Sequence, residues 1–193
     1  MYDMKKAEER ILEYCAERAR EDAVPPEDIA CALMNEPGVL RMHGPEHHFL
    51  TAASLCAAWC AVRRDDARPR LERLRVRCAQ IPAGVCGYYG VCGDTLAAGA
   101  FLSEILGATY LSGAEWQVVN NFTARVQSGV AASCTRGPRC CKRTGRLSIE
   151  AAADFARREL GVDMPASRPR CEYPAKNREC IGRRCPFFSP NGD

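Results

Sequence analysis

The chain has 193 residues, 47% of them hydrophobic, with 27 Lys and Arg against 24 Asp and Glu and a net charge near +3. That length fits one domain, or one with a small appendage, and suffices to bury a core without covalent staples. The even charge balance excludes a disordered tail or a dedicated nucleic-acid coat, and no apolar run reaches the roughly 20 residues of a membrane-spanning helix.

Met4, Ala7, Ile11, Leu12, Cys15 and Ala19 recur every three or four residues among charged ones, which predicts an amphipathic helix over about residues 3–22. The same N-terminal stretch is broken by charges throughout, so it does not read as a secretory signal, and the expectation is a cytoplasmic protein. Pro25 and Pro26 end the helix, and Pro26 suits the first turn of a second, PEDIACALM, which stops at Pro37 and Gly38. Gly44, Pro45 and Glu46 then resemble a helix start, and the nearly unbroken apolar run that follows predicts a central buried helix. An Arg-rich helix, RLERLRVRCAQI, runs to Pro82.

The tetrapeptide GVCG occurs twice, at 84–87 and 90–93, and reads as a folded loop because glycine costs backbone entropy in helices and strands alike. Three more helices are expected: TLAAGAFLSEIL, then SGAEWQVVNNFTARVQSGVAA with Ser112 and Glu115 as a capping box, then SIEAAADFARREL opened by Ser148 and closed by Gly161. Between the last two lies a loop, SCTRGPRCCKRTGR. No strand is convincing. The predicted fold is all-α: a compact helical domain over residues 1–162 with a cysteine-rich loop layer, and an irregular cysteine-rich tail over 163–193 packed on the same domain.

Thirteen cysteines are far above ordinary usage, and without an export signal they point to metal, cluster or thiol chemistry in place of a disulfide scaffold. Charge is uneven in the same sense. Residues 1–50 hold 6 basic and 11 acidic groups and the remainder 21 and 13, so the cysteine-rich part lies in the positive part.

Four constellations carry chemistry. The tail brings Cys171, Cys180 and Cys185, the last followed by Pro186, into a segment with no core of its own. Thiolates bind iron and zinc, and a Cys-Pro pair closes ferredoxin-type motifs, although spacings of eight and four residues match neither a ferredoxin nor a paired zinc finger. Cys140 and Cys141 sit among Arg136, Arg139, Lys142, Arg143 and Arg146, a field that lowers a thiol pKa or holds an anion; the bland alternative is a solvated basic loop. Neighbouring side chains diverge, so one thiol is expected to ligate and the other to react or pack inward. Cys86 and Cys92 lie in the doubled GVCG, whose backbone N–H groups can serve a cluster or anion, or which simply connects two helices. His43, His47 and His48 are the only histidines, and the last two fall in the first turn of the buried helix. The helical cysteines Cys15, Cys31, Cys56, Cys60 and Cys78 are taken as core residues.

HGPEHHFL, IPAGVCGYYGVCGDTLAAG, GPRCCKRTGRLSI and CEYPAKNRECIGRRCPF together resemble the uncharacterised family called domain of unknown function 5714, over residues 43 to about 188. The resemblance implies an anaerobic setting and, since some members follow a methyltransferase-like domain, a methyltransferase partner. It also implies that His47, His48, Cys86, Cys92, Arg139, Cys140, Cys141, Lys142, Cys171, Cys180 and Cys185 act as a set. No reaction comes with it.

Taken together, the expectation is an iron–sulfur protein, of 4Fe–4S type, that is an enzyme or enzyme subunit doing sulfur transfer or Lewis-acid chemistry on a small anionic substrate. Cys141, Cys171, Cys180 and Cys185 are the expected metal ligands. Cys86, Cys92, Arg139 and Lys142 are expected at the cofactor or its substrate, with Cys140 as nucleophile or persulfide carrier and His47 or His48 moving the proton. The alternative is a zinc-stapled binding module whose basic loops meet a methyltransferase or RNA.

Overall fold

The structure is a computed structural model and describes residues 2–133 and 140–189. Among these residues there are eight α-helices, one 3₁₀ turn at Gly182–Arg184, and a single isolated bridge between Cys171 and Phe188. The fold is all-α, as the periodicities predict. None of the described helices is long and apolar enough to cross a membrane.

α1 (Met4–Arg18) starts where the Asp3 carboxylate accepts the N–H groups of Lys5 and Lys6. α2 (Pro26–Asn35) has Pro26 in its first turn, where a missing N–H costs nothing, and Glu27 and Asp28 at its positive end. α3 (Glu46–Arg63) is the axis of the molecule. Every residue from Glu46 to Ala61 is buried, because α1, α2, α4, α6 and α8 all pack on it. α4 (Arg68–Ala79) is joined to α6 (Gly93–Leu106) through one buried carboxylate: Glu104 meets Arg73 at 2.7 Å, Arg77 at 3.1 Å and Arg70 at 3.8 Å. Three guanidiniums supply the partners that a buried carboxylate requires. α5 (Val85–Tyr88) is one short turn, α7 (Ala114–Ser133) packs on α6, and α8 (Cys141–Glu159) on α3, α6 and α7.

Three local expectations are corrected. The first GVCG is a helical turn, with Cys86 inside α5, and only the second is extended, leading into α6 through Cys92. More consequentially, α8 begins at Cys141, seven residues before Ser148, which is buried inside the helix. The run CKRTGR is expected in a loop, with solvation of its charges the bland alternative. In the fold Lys142, Arg143 and Arg146 are each only 3% exposed, so the helix turns its cations inward toward the thiols described below. Ser112 does not act as read either: its hydroxyl accepts the N–H of Thr109 within the preceding turn.

The irregular tail lies against α2 and α8. The Tyr173 hydroxyl bonds the Met34 carbonyl and the Asn35 side chain, Ser167 donates to Asp28 at 2.6 Å, and Val162 and Met164 join the core.

Candidate functional site

The twelve described cysteines are all free thiols. Cys15, Cys56, Cys60 and Cys78 lie in the core, two places gather the other eight, and Cys140–Cys141 stands between the two.

In the first, Cys140 at the start of α8 meets the tail residues Cys171, Cys180 and Cys185 around one largely enclosed, mostly apolar cavity. Cys31 of α2 lines the same cavity. The thiols are close enough to feel one another: burial raises the pKa values of Cys140 and Cys171, and Cys185 adds to both. Polar hydrogens point at the sulfurs. The Gly182 N–H donates to the Cys180 sulfur at 3.4 Å and the Asn177 amide to the Cys140 sulfur at 3.6 Å. Lys142, Arg143, Arg146 and Arg170 line the cavity against the single carboxylate of Glu172. The Arg146 guanidinium lies 4.1 Å from the centre of the Phe187 ring, and its Nε and Nη2 are buried with no hydrogen-bond partner among the described residues. The Lys142 ammonium sits 4.3 Å from the centre of the Tyr173 ring and donates to the Arg41 carbonyl at 3.5 Å; burial lowers its pKa. Lys142 and Arg146, both 3% exposed, thus bring buried positive charge to the wall of a cavity lined by thiols.

The second place is built on the doubled GVCG. A cleft of about 620 Å³ is lined by His48, Cys86, Cys92, Asp94, Cys141 and Thr144 together with the edges of Gly84, Gly87, Gly90 and Gly93. A pocket of about 200 Å³ adjoins it and contains Arg41 and His43. Asp94, 2% exposed, orders this region. It accepts hydrogen bonds from Thr144 at 2.7 Å and Thr51 at 3.2 Å, and from the Cys92 thiol at 3.8 Å. Burial first, and then the Asp94 charge, push the Cys92 and Cys141 thiols up to about 12. Gln127 of α7 pins the loop, accepting the Cys92 N–H at 2.9 Å and donating to the Gly90 carbonyl at 3.3 Å. Gly93 is required by close approach, since a Cβ there would lie 2.0 Å from Nε2 of His48.

The two histidines of α3 part company. Nε2–H of His47 donates to the Arg41 carbonyl at 3.0 Å, and burial and then Lys142 lower its pKa to about 4, so His47 is a fixed neutral donor that holds the entry to α3. His48 lines both second-site cavities, and burial lowers its pKa as well. His43 pairs with Glu179 at 3.0 Å, tying the small pocket to the tail beside Cys180.

Of the residues singled out from the sequence, Cys140, Lys142, Cys171, Cys180 and Cys185 come together at the first cavity, and His48, Cys86, Cys92 and Cys141 at the second. Cys140 thus lies where a ligand was expected of Cys141, and Cys141 lies among the loop thiols. Arg139, with Cys134 and Arg136, falls outside the described residues. Asp94, Arg170 and Asn177 escaped the reading of the sequence. Arg146, expected in the basic field around Cys140 and Cys141, does face the first cavity, whereas Cys31, taken as a core residue, is only partly buried and lines that cavity as well. Among the described residues no three His, Cys, Asp or Glu side chains are arranged to hold one metal ion.

No curated protein and no solved structure matches the chain. The family described as Family of unknown function (DUF5714) matches residues 11–188, a span that holds both cavities and nearly the whole chain. The protein belongs to that family of unknown function.

Proposed function

We propose that the first cavity holds an iron–sulfur cluster on Cys140, Cys171, Cys180 and Cys185, and that the protein uses it for sulfur transfer to a small anionic substrate. The observation that carries this reading is the convergence of four thiols from two distant parts of the chain in a cavity walled by buried cations. A cluster bearing four thiolates is anionic, which suits Arg146 with its unpartnered nitrogens and the neighbouring Lys142. N–H groups aimed at sulfur, as from Gly182 and Asn177, tune such ligands.

When bound, the cluster would supply Lewis acidity and sulfide. The chain's own contributions follow from the geometry. Phe187 and the Tyr173 ring keep water from the thiols, Arg170 at the exposed edge binds and orients an anion, and Cys31 presents a fifth thiol to the same space. The cavity itself is small, about 30 Å³, so Cys171, Cys180 and Cys185 would have to move outward with the tail to hold a cluster together with Cys140.

Anaerobically purified protein is expected to be brown, with broad absorbance near roughly 400 nm and matching iron and acid-labile sulfide. Colourless protein carrying one equivalent of zinc under the same conditions would overturn the proposal and make the centre a structural staple.

A further inference from the structure

The second cavity has no part in the function just proposed. We infer that it is the entry port for sulfane sulfur: Cys86 takes the outer sulfur of a small persulfide and hands it to Cys141, one peptide bond from Cys140. The inference rests on the cluster reading for the destination of the sulfur, and on the second cavity alone for the route.

The cleft and the adjoining pocket share four lining residues, His48, Gly84, Cys86 and Cys141. Two thiols and an imidazole therefore meet on the wall between two openings. Access is graded along that wall. Cys86 is exposed, on the four-residue turn Val85–Tyr88 that follows Gly84. Cys141 is only partly exposed and opens α8, while Cys140 before it faces the other cavity. His48, 7% exposed, is held by the Ile81 backbone and packs against Gly93, so it forms part of the wall that the two thiols share. The third thiol, Cys92, is occupied by its bond to Asp94, which leaves Cys86 and Cys141 as the exchanging pair.

The chemistry balances without an oxidant. Cys86–SH attacks the outer sulfur of R–S–SH; the new S–S bond forms as the old one breaks, and the thiol proton leaves on R–SH. Cys141–SH then attacks the outer sulfur of Cys86–S–SH. The Cys141 proton passes to the departing Cys86 sulfur as the new S–S bond forms and the old one breaks, giving Cys141–S–SH and Cys86–SH.

The test uses anaerobically purified, metal-loaded protein, pulsed with cysteine persulfide, quenched with an alkylating agent and read by peptide mass spectrometry. The expected result is one extra sulfur on Cys86 first and on Cys141 later. Cys86→Ser abolishes the label on Cys141, Cys141→Ser makes it accumulate on Cys86, and both variants keep full iron and absorbance. Extra sulfur on Cys86 no greater than on buried Cys15, or undiminished label on Cys141 in Cys86→Ser, overturns the route. Iron-free protein that still labels in this order sustains the route while refuting the cluster; iron-loaded protein that fails to label does the reverse.

Discussion

Adjacent cysteines face different chambers because Cys140 keeps an extended backbone while Cys141 is already helical. One peptide bond thus separates a thiol among the tail sulfurs from a thiol among glycines. Substitution should resolve the pair: Cys140→Ser, like Cys171→Ser, Cys180→Ser or Cys185→Ser, is expected to remove most of the iron, whereas Cys141→Ser keeps it, as measured by iron analysis after anaerobic purification. Arg146→Met removes a buried charge without touching a thiol and should lower iron retention on dilution. Cys56→Ser, deep in α3 beside Cys60, should keep the metal and cost about 1–3 kcal/mol of stability for burying a hydroxyl.

At the level of helices, titration and close packing decide stability. Glu27 opens α2 but is 2% exposed, and burial pushes its carboxyl up from 4.5 to about 7, against the N–H groups of its own turn and Ser167. Between those values the unfolded chain has lost a proton that the folded chain keeps, so stability falls as pH rises from 4.5 to about 7. Glu27→Gln is expected to remove that slope and to stabilise the protein at pH 8 by about 1–3 kcal/mol, read as a shift in urea midpoint. Glu46 behaves oppositely. Burial raises it, but the bonds from Arg41 outweigh burial and hold it near 2, so its contribution is present above about 4.5 and lost as pH falls toward 2. Gly93→Ala must push His48 or α6 aside and should cost about 1–3 kcal/mol by denaturant unfolding.

Over the whole molecule, a helical body built on α3 carries a tail whose order depends on a few anchors and on its thiols. The tail contains Arg170, Lys176, Arg178, Arg183 and Arg184, none followed by proline, so trypsin should clip it readily in metal-free protein and slowly in metal-loaded protein. Equal cleavage would show that metal does not organise the tail. The helices were legible because residues such as Ile11, Leu12 and Cys15 repeat with the helical period. The tail was legible as irregular because its five prolines and lack of period leave no helix to form. The start of α8 was not, because Lys142, Arg143 and Arg146 look solvated until a thiol cavity lies on their inner side.

By itself the sequence determined the helix order, the buried character of α3, and the residue types available for soft-metal and thiol chemistry, since periodicity and composition act locally. Tertiary structure decided which sulfurs meet. It brought Cys31 from α2 and Cys140 from α8 to a tail up to 154 residues away in the chain, sent Cys141 elsewhere, and placed Asp94 and His48 against the glycine loop. Such encounters depend on how helices pack across long sequence separations, and no local pattern encodes that.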